Sequence, residues 1–166
     1  MLEFFTSNLI ALPDYVVTII ISMVPFIESR AAVPWAILYY NMPPLLVILY
    51  SIIGGFIPAV ILVNILEPVV KWLMRDSKHA RRFFKWLFHR THHKLVGKYE
   101  KYGLLALMIF VAIPLPGSGV WTGALAAFIF EIPKKKALLF IMLGAVIASV
   151  ILAIISVGLN NILNFR

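Results

Sequence analysis

The sequence predicts an all-α integral membrane protein. The expected architecture is an inverted repeat, each half a re-entrant helical hairpin plus one transmembrane helix, with a cytoplasmic amphipathic helix between the halves. Three observations carry that expectation. Hydrophobic residues make up 62% of the 166 and charged residues 13%, whereas a soluble domain is ~45–50% apolar and ~25% charged. So short a chain cannot hide that excess in its own core, because a small domain leaves too much surface outside; lipid is the missing solvent. Second, two apolar stretches run unbroken for the thickness of a bilayer, while two others are broken midway. Third, a shift of 90 residues superimposes the breaks of one half on those of the other.

The segment Met1 to Asp14 has no Lys or Arg and carries Glu3 and Asp14. That is not the basic start of a cleaved signal peptide, so the chain is expected to stay whole in the membrane. Tyr15–Val24 and Ala31–Tyr40 flank a break containing Pro25, Glu28 and Arg30, with Pro34 just beyond. Each piece is half a membrane long at 1.5 Å per residue, roughly 15 Å. Two half-length helices form a hairpin that enters and leaves on one side; the alternative is two full spans, each kinked at its middle. Irregular backbone at that depth must be buried in protein or face water.

Leu45–Leu66 is apolar apart from Asn64 and is closed by Glu67-Pro68, since proline lacks a donor and disfavours helix before it. Its 22 residues span roughly 33 Å, enough for a ~30 Å hydrocarbon core. Leu104–Ala112 and Val120–Phe130 repeat the broken pattern around Ile113-Pro114-Leu115-Pro116-Gly117-Ser118-Gly119, and Ala137–Gly158, with no charge, repeats the span. The 90-residue shift aligns Pro43 with Pro133, Gly54 with Gly144, Ala36 with Ala126 and Glu28 with Ser118. One membrane domain over 1–166 results: a first repeat at 15–74, a basic segment at 75–101 and a second repeat at 102–159. A single crossing between the halves inverts the second, and such folds hold their substrate where the broken elements meet near the midplane.

The net charge of +8 is not spread evenly. Ten of 15 basic residues fall between Lys71 and Lys101 and three are Lys134, Lys135 and Lys136. Basic loops stay in the cytoplasm, which places both clusters inside and both termini outside in a multi-pass membrane protein. Within Ser77–Lys101, Phe83, Phe84, Leu87 and Phe88 share a helical face beside Trp86. The segment reads as an amphipathic helix on the inner leaflet, with Arg81, Arg82, Lys85 and Arg90 reaching anionic lipid headgroups. Membrane lipids are thus the expected partners, and nucleic acid is not, because a juxtamembrane basic surface needs no base readout to explain it.

Glu28 and Arg30 are the ionisable residues expected deep in the apolar zone, where a charge costs at least ~2.5–3.5 kcal/mol and marks a functional candidate. Their structural alternative is a mutual ion pair fixing the turn. Ser29 and Arg30 before Ala31–Tyr40, and Gly117, Ser118 and Gly119 before Val120–Phe130, put two half-helix N-termini near one centre. Helix N-termini favour anions, and Arg30 adds a fork suited to phosphate or carboxylate. The expected substrate site is therefore Glu28, Ser29 and Arg30 with Pro114, Pro116, Gly117, Ser118, Gly119, Trp121 and Thr122. Glu28, ill-suited to a permanently anionic site, is expected to exchange a proton with the substrate or driving ion. Gly119, Gly123 and Ala127, like Ala32 and Ala36, let helices approach closely, either within the hairpins or at a homo-oligomer face.

Several classes are disfavoured. The chain has no cysteine, hence no disulfide, thiolate metal site or cysteine nucleophile. His79, His89, His92 and His93 cluster loosely, but zinc needs three or four well-spaced ligands, so no metal or other cofactor is expected. With no nucleophile elbow, phosphate loop or zinc-protease helix, an enzyme is not expected.

Pro25-Phe26-Ile27-Glu28-Ser29-Arg30 with Pro34, and Ile113 to Gly119 with Trp121-Thr122-Gly123, resemble the signatures of the small multidrug export family of prokaryotic membrane proteins. That family is distantly similar to DedA-type (VTT-domain) proteins, and the likeness runs from Val16 to Gly158. It implies an inner-membrane transporter with re-entrant hairpins. DedA-type relatives are implicated in flipping polyprenyl-phosphate carrier lipids and in membrane homeostasis, but bear more central acidic and arginine residues than this chain. The leading expectation is proton-linked movement of an amphipathic anion, such as a polyprenyl-phosphate or phospholipid. Its alternatives are export of small hydrophobic drugs and a non-transporting scaffold or homeostasis role.

Overall fold

The computed structural model describes residues 12–95, 99–115 and 117–164, and of 87–95, 99–101 and 163–164 the backbone path alone. Seven helices and no strand occur among the described residues. They are α1 (Asp14–Met23), α2 (Glu28–Leu38), α3 (Pro44–Asp76), α4 (Lys78–Leu95), α5 (Tyr99–Ala112), α6 (Val120–Ile129) and α7 (Lys134–Asn164). Both long helices start just after a proline, Pro43 and Pro133; at a helix start the missing donor costs nothing and the fixed φ is already helical. Ser77 opens α4 by accepting the Ala80 amide at 3.3 Å.

The first break, at 24–27, holds Pro25, and the second, at 113–119, falls where proline and glycine crowd; they leave short helices of 10, 11, 14 and 10 residues. α3 and α7, of 33 and 31 residues, are the helices among the described residues long and apolar enough to cross a membrane. At 1.5 Å per residue α3 is roughly 50 Å long, well beyond a ~30 Å core.

Several boundaries differ from expectation, among them the end of α7, which runs six residues past Gly158 to Asn164. α3 does not stop at Glu67-Pro68 but runs on to Asp76. Proline removes one backbone donor, whereas Glu67 bonds Lys71 one turn on and Lys134 of α7, and Val70 beyond the proline is buried; tertiary contacts outweigh the lost bond. α2 begins at Glu28, three residues before Ala31, and passes through Pro34, so Ser29 and Arg30 lie in its first turn rather than ahead of it. α5 begins at Tyr99, before Leu104. α7 takes Lys134, Lys135 and Lys136 into its first turn; cations at that end oppose the helix dipole, and the Glu67 carboxylate on Lys134 offsets this.

α3 and α7 pack on each other; α1 lies on α3 and α5 on α7, while α2 and α6 each touch both long helices. The crossings need glycine. A Cβ on Gly54 would stand 2.6 Å from that of Ser22, and one on Gly144 would stand 2.6 Å from the Met108 carbonyl oxygen. One core cluster gathers Val33, Ala36, Ile37, Val47 and Ala153, the other Val111, Val120, Ala124, Ala127 and Ile141 among its members. Between α3 and α7 the buried Ser51 and Ser149 hydroxyls meet at 3.3 Å. The short helices α2 and α6 are followed by Asn41 and Glu131, at φ 52° and 54°, positions that the 90-residue shift superimposes.

Candidate functional site

Both breaks meet at one place, and a single carboxylate joins them. The first break carries two non-glycine residues in the left-handed region, Phe26 (φ 68°) and Glu28 (φ 46°), a costly combination held by its surroundings. Glu28 is buried at 5% exposure and reaches the start of α6. Its Oε2 accepts the Val120 amide at 3.3 Å and its Oε1 the Trp121 amide at 3.2 Å. These are the first two amides of α6, which have no acceptor within their own helix, and the carboxylate suits the positive end of the helix dipole.

Arg30 closes the other side. Its Nη1 donates to Glu28 Oε2 at 3.0 Å, and its Nη2 donates to the Ser118 carbonyl and, at 3.1 Å, to the Ser118 hydroxyl. Arg30 Nε is buried with no hydrogen-bond partner. The Ser118 hydroxyl, with one proton to give, stands 2.5 Å from the Ile113 carbonyl and 2.9 Å from that of Leu115, so it pins the second break from within. Gly119 has no alternative, because a Cβ there would run into the Glu28 carboxylate. Thr122 Oγ1 accepts the Gly119 amide at 2.8 Å, and the Trp121 indole donates to the Met23 carbonyl at 3.2 Å, stapling α6 to the end of α1.

Of the expected site residues, the fold thus brings together Glu28, Arg30, Ser118, Gly119, Trp121 and Thr122. Ser29 is half-buried on α2, Pro114 half-buried and Gly117 exposed at φ 87°; among the described residues no hydrogen bond ties them to Glu28. Pro116 lies outside the described residues, as do the side chains of Leu87, Phe88, His89, Arg90, His92 and His93. The fold adds two facts about these residues. The α6 N-terminus is not an open anion site, since the protein's own carboxylate sits on it. The ion pair offered as the structural alternative for Glu28 and Arg30 is formed. Gly123 serves packing inside the chain: a Cβ there would strike Val111 of α5.

A second polar cluster went unnoticed in the sequence. Glu67 Oε1 bonds Lys71 Nζ at 2.7 Å and Oε2 bonds Lys134 Nζ at 2.8 Å, at the end of a cleft of about 530 Å³ between α3, α6 and α7. The Glu67/Lys71 spacing of four is a helix-pair signal, but Lys134 joins only through the fold.

A family model described as "Putative small multi-drug export protein" matches residues 28–151, a span that opens on Glu28, just after the first break, and takes in the second break and the cleft. No curated protein and no solved structure matches the chain.

Proposed function

The chain belongs to the small multi-drug export family, and from that premise we propose that it is a membrane transporter of amphipathic anions, with Glu28 as the stand-in for its substrate. The observation that carries this reading is the Glu28 carboxylate resting on the α6 amides and on Arg30, the place an anionic headgroup would take. The orphaned Arg30 Nε adds support, since a buried donor without a partner asks for one.

The mechanism exchanges one anion for another. The groups bonded to Glu28 among the described residues are Arg30 on its own helix and the Val120 and Trp121 amides at the start of α6, with Ser118 bonded to Arg30. A proton arriving on Glu28 removes its hold on Arg30 and the amides, and a phosphate or carboxylate headgroup then occupies them. Buried charge is the same before and after, so neither state leaves Arg30 unpaired. Loss of the proton returns the carboxylate and expels the headgroup, which links substrate movement to protons.

The inverted arrangement belongs to the same reading. Its support is the paired packing of α1 on α3 and α5 on α7, with α2 and α6 each touching both long helices. Glu67 joins Lys71 to Lys134, which supports one side, the cytoplasm, for both basic clusters. On this topology the exposed Phe83 and Trp86 of α4 face the inner leaflet. Single cysteines at Ser77 and Lys135 should then react from one side only, and labelling from opposite sides would break it.

A second reading, export of small hydrophobic molecules, is favoured by the cleft, whose volume falls within the ~300–1,000 Å³ of drug-sized sites. Proteoliposomes separate the two with a fluorescent phosphate-bearing lipid and a neutral hydrophobic dye. The lipid should move, faster under a pH gradient; Arg30→Gln should abolish movement and Arg30→Lys retain part of it, since lysine keeps the charge but not the fork. Glu28→Gln should leave movement indifferent to pH. A Glu28→Gln/Arg30→Gln protein that transports normally would end the reading and leave the pair as architecture.

A further inference from the structure

We propose that α4 is a docking surface for anionic phospholipid, laid on the leaflet where α3 leaves the membrane. Lys78–Leu95 carries six Lys or Arg and no Asp or Glu. At about 3.6 residues per turn, Lys78, Arg81, Arg82 and Lys85 fall on one stripe of its first half. Phe83 and Trp86 fall on the stripe beside it, exposed at 55% and 54%, with their rings 6.3 Å apart. α4 touches α3 and α6, and Ala80 and Phe84, on the side away from both stripes, are half-buried. The structure thus parts Phe84 from Phe83, which the sequence puts on one face. Cations directly beside exposed rings suit a helix in the headgroup layer: the rings sink below the phosphates while the flanking cations hold them.

Position decides between lipid and other anions. Ile57, Ile61, Ile65, Val69 and Trp72 are exposed at spacings of four or three along α3. One apolar stripe therefore carries the lipid contact to within five residues of Ser77, and tryptophan at its end belongs to the headgroup layer. Ser77 alone separates α3 from α4, and the corner is fixed. Its hydroxyl accepts the Ala80 amide, and Arg81 Nε donates to the Met74 carbonyl at 3.0 Å. Asp76 is the one acidic residue between Glu67 and Glu100, so the surface around the corner stays positive. A surface tethered beside a bilayer meets it at high effective concentration, whereas no part of the fold brings an RNA or an acidic protein there. The leaflet is the inner one on the topology proposed above; docking itself uses nothing of the Glu28 mechanism.

The test uses the full chain in nanodiscs, which leave both leaflets open. The chain has no cysteine, so His79→Cys, at an exposed position between the two rings on the helical wheel, takes a single NBD fluorophore. Quenching by a phospholipid with a nitroxide on its headgroup reads docking. The label should be strongly quenched in phosphatidylcholine mixed with phosphatidylglycerol and far less in phosphatidylcholine alone. Salt at 1 M, where charges are screened within ~3 Å, should bring the first close to the second. Arg82→Gln with Lys85→Gln should lower the ratio of docked to undocked helix roughly twentyfold, at about fivefold per charge near an anionic surface. Arg82→Lys with Lys85→Arg should leave it unchanged, and Phe83→Ser with Trp86→Ser should weaken docking at low and high salt alike. Equal quenching in the two lipids, or none in either, would overturn the proposal. So would a label shielded only when RNA or an acidic protein is added. Docking without transport would break the central reading and leave this one standing; transport with α4 undocked would do the reverse.

Discussion

Glu28 and Glu67 are the same device in two solvents. Each is a carboxylate gripped by basic side chains or helix amides that tie separate helices together: Glu28 joins α2 to α6, Glu67 joins α3 to α7. Glu28 is nearly closed off, its side chain 7% exposed, and Glu67 is open, at 40%. In a medium of low polarity a broken pair strands a charge that nothing screens, whereas at the surface water replaces the lost partner. The two clusters therefore differ far more in what their loss does than in what they look like.

The sharpest way to break that comparison is Glu28→Ala, which takes the counter-charge from the buried Arg30 and leaves two α6 amides bare. It should destabilise the protein by about 3–5 kcal/mol, read as a shift in the denaturation midpoint in detergent. Adding Arg30→Met should return most of that loss, because no charge is then stranded. Glu28→Gln keeps an acceptor oxygen and should cost less, about 1–3 kcal/mol.

Next come the close crossings. Gly54→Val and Gly144→Val place atoms where a Cβ already meets backbone or Cβ atoms at 2.5–2.8 Å. Overpacking of this kind costs about 1–3 kcal/mol, and the same unfolding measurement should show both. Ser118→Ala deletes the hydroxyl that meets Arg30 and holds the second break. A loss of about 1–2 kcal/mol is expected, the cost of leaving buried groups unsatisfied.

The smallest effect belongs to the open cluster. Lys134→Gln should change stability by about 0.2–1 kcal/mol, the usual worth of an exposed ion pair, and the difference should fade at 1 M salt, where charges are screened within ~3 Å. A Lys134→Gln loss as large as that of Glu28→Ala would erase the contrast between the two sites.

The sequence was most legible where local chemistry decides. The run Ile113–Gly119 crowds prolines and glycines together, and Pro25 stands beside the ionisable Glu28 and Arg30, so the two breaks and the short pieces around them could be read directly. Pro68 misled, because the bonds of Glu67 to Lys71 and Lys134 carry α3 past it. The start of α2 was illegible for a related reason: Phe26 and Glu28 adopt left-handed backbone that neither side chain favours, and only the surrounding fold imposes it. The residues of the central site were readable as ionisable and helix-starting groups. Their pairing was not, since Glu28 and Trp121 stand 93 positions apart and nothing local says that one will cap the other.

Gly54 and Gly144 bring α1 and α5 against the long helices with backbone nearly touching backbone or Cβ. Surfaces meshed that closely cannot slide, because any displacement drives one main chain into another. α6 is meshed as closely, since a Cβ on Gly123 would stand 2.6 Å from the Val111 side chain of α5, and α2 buries Ala32, Val33 and Ala36 in the core. A change at the centre can therefore begin with side chains alone, those of Glu28, Arg30 and Ser118, without one main chain being driven into another.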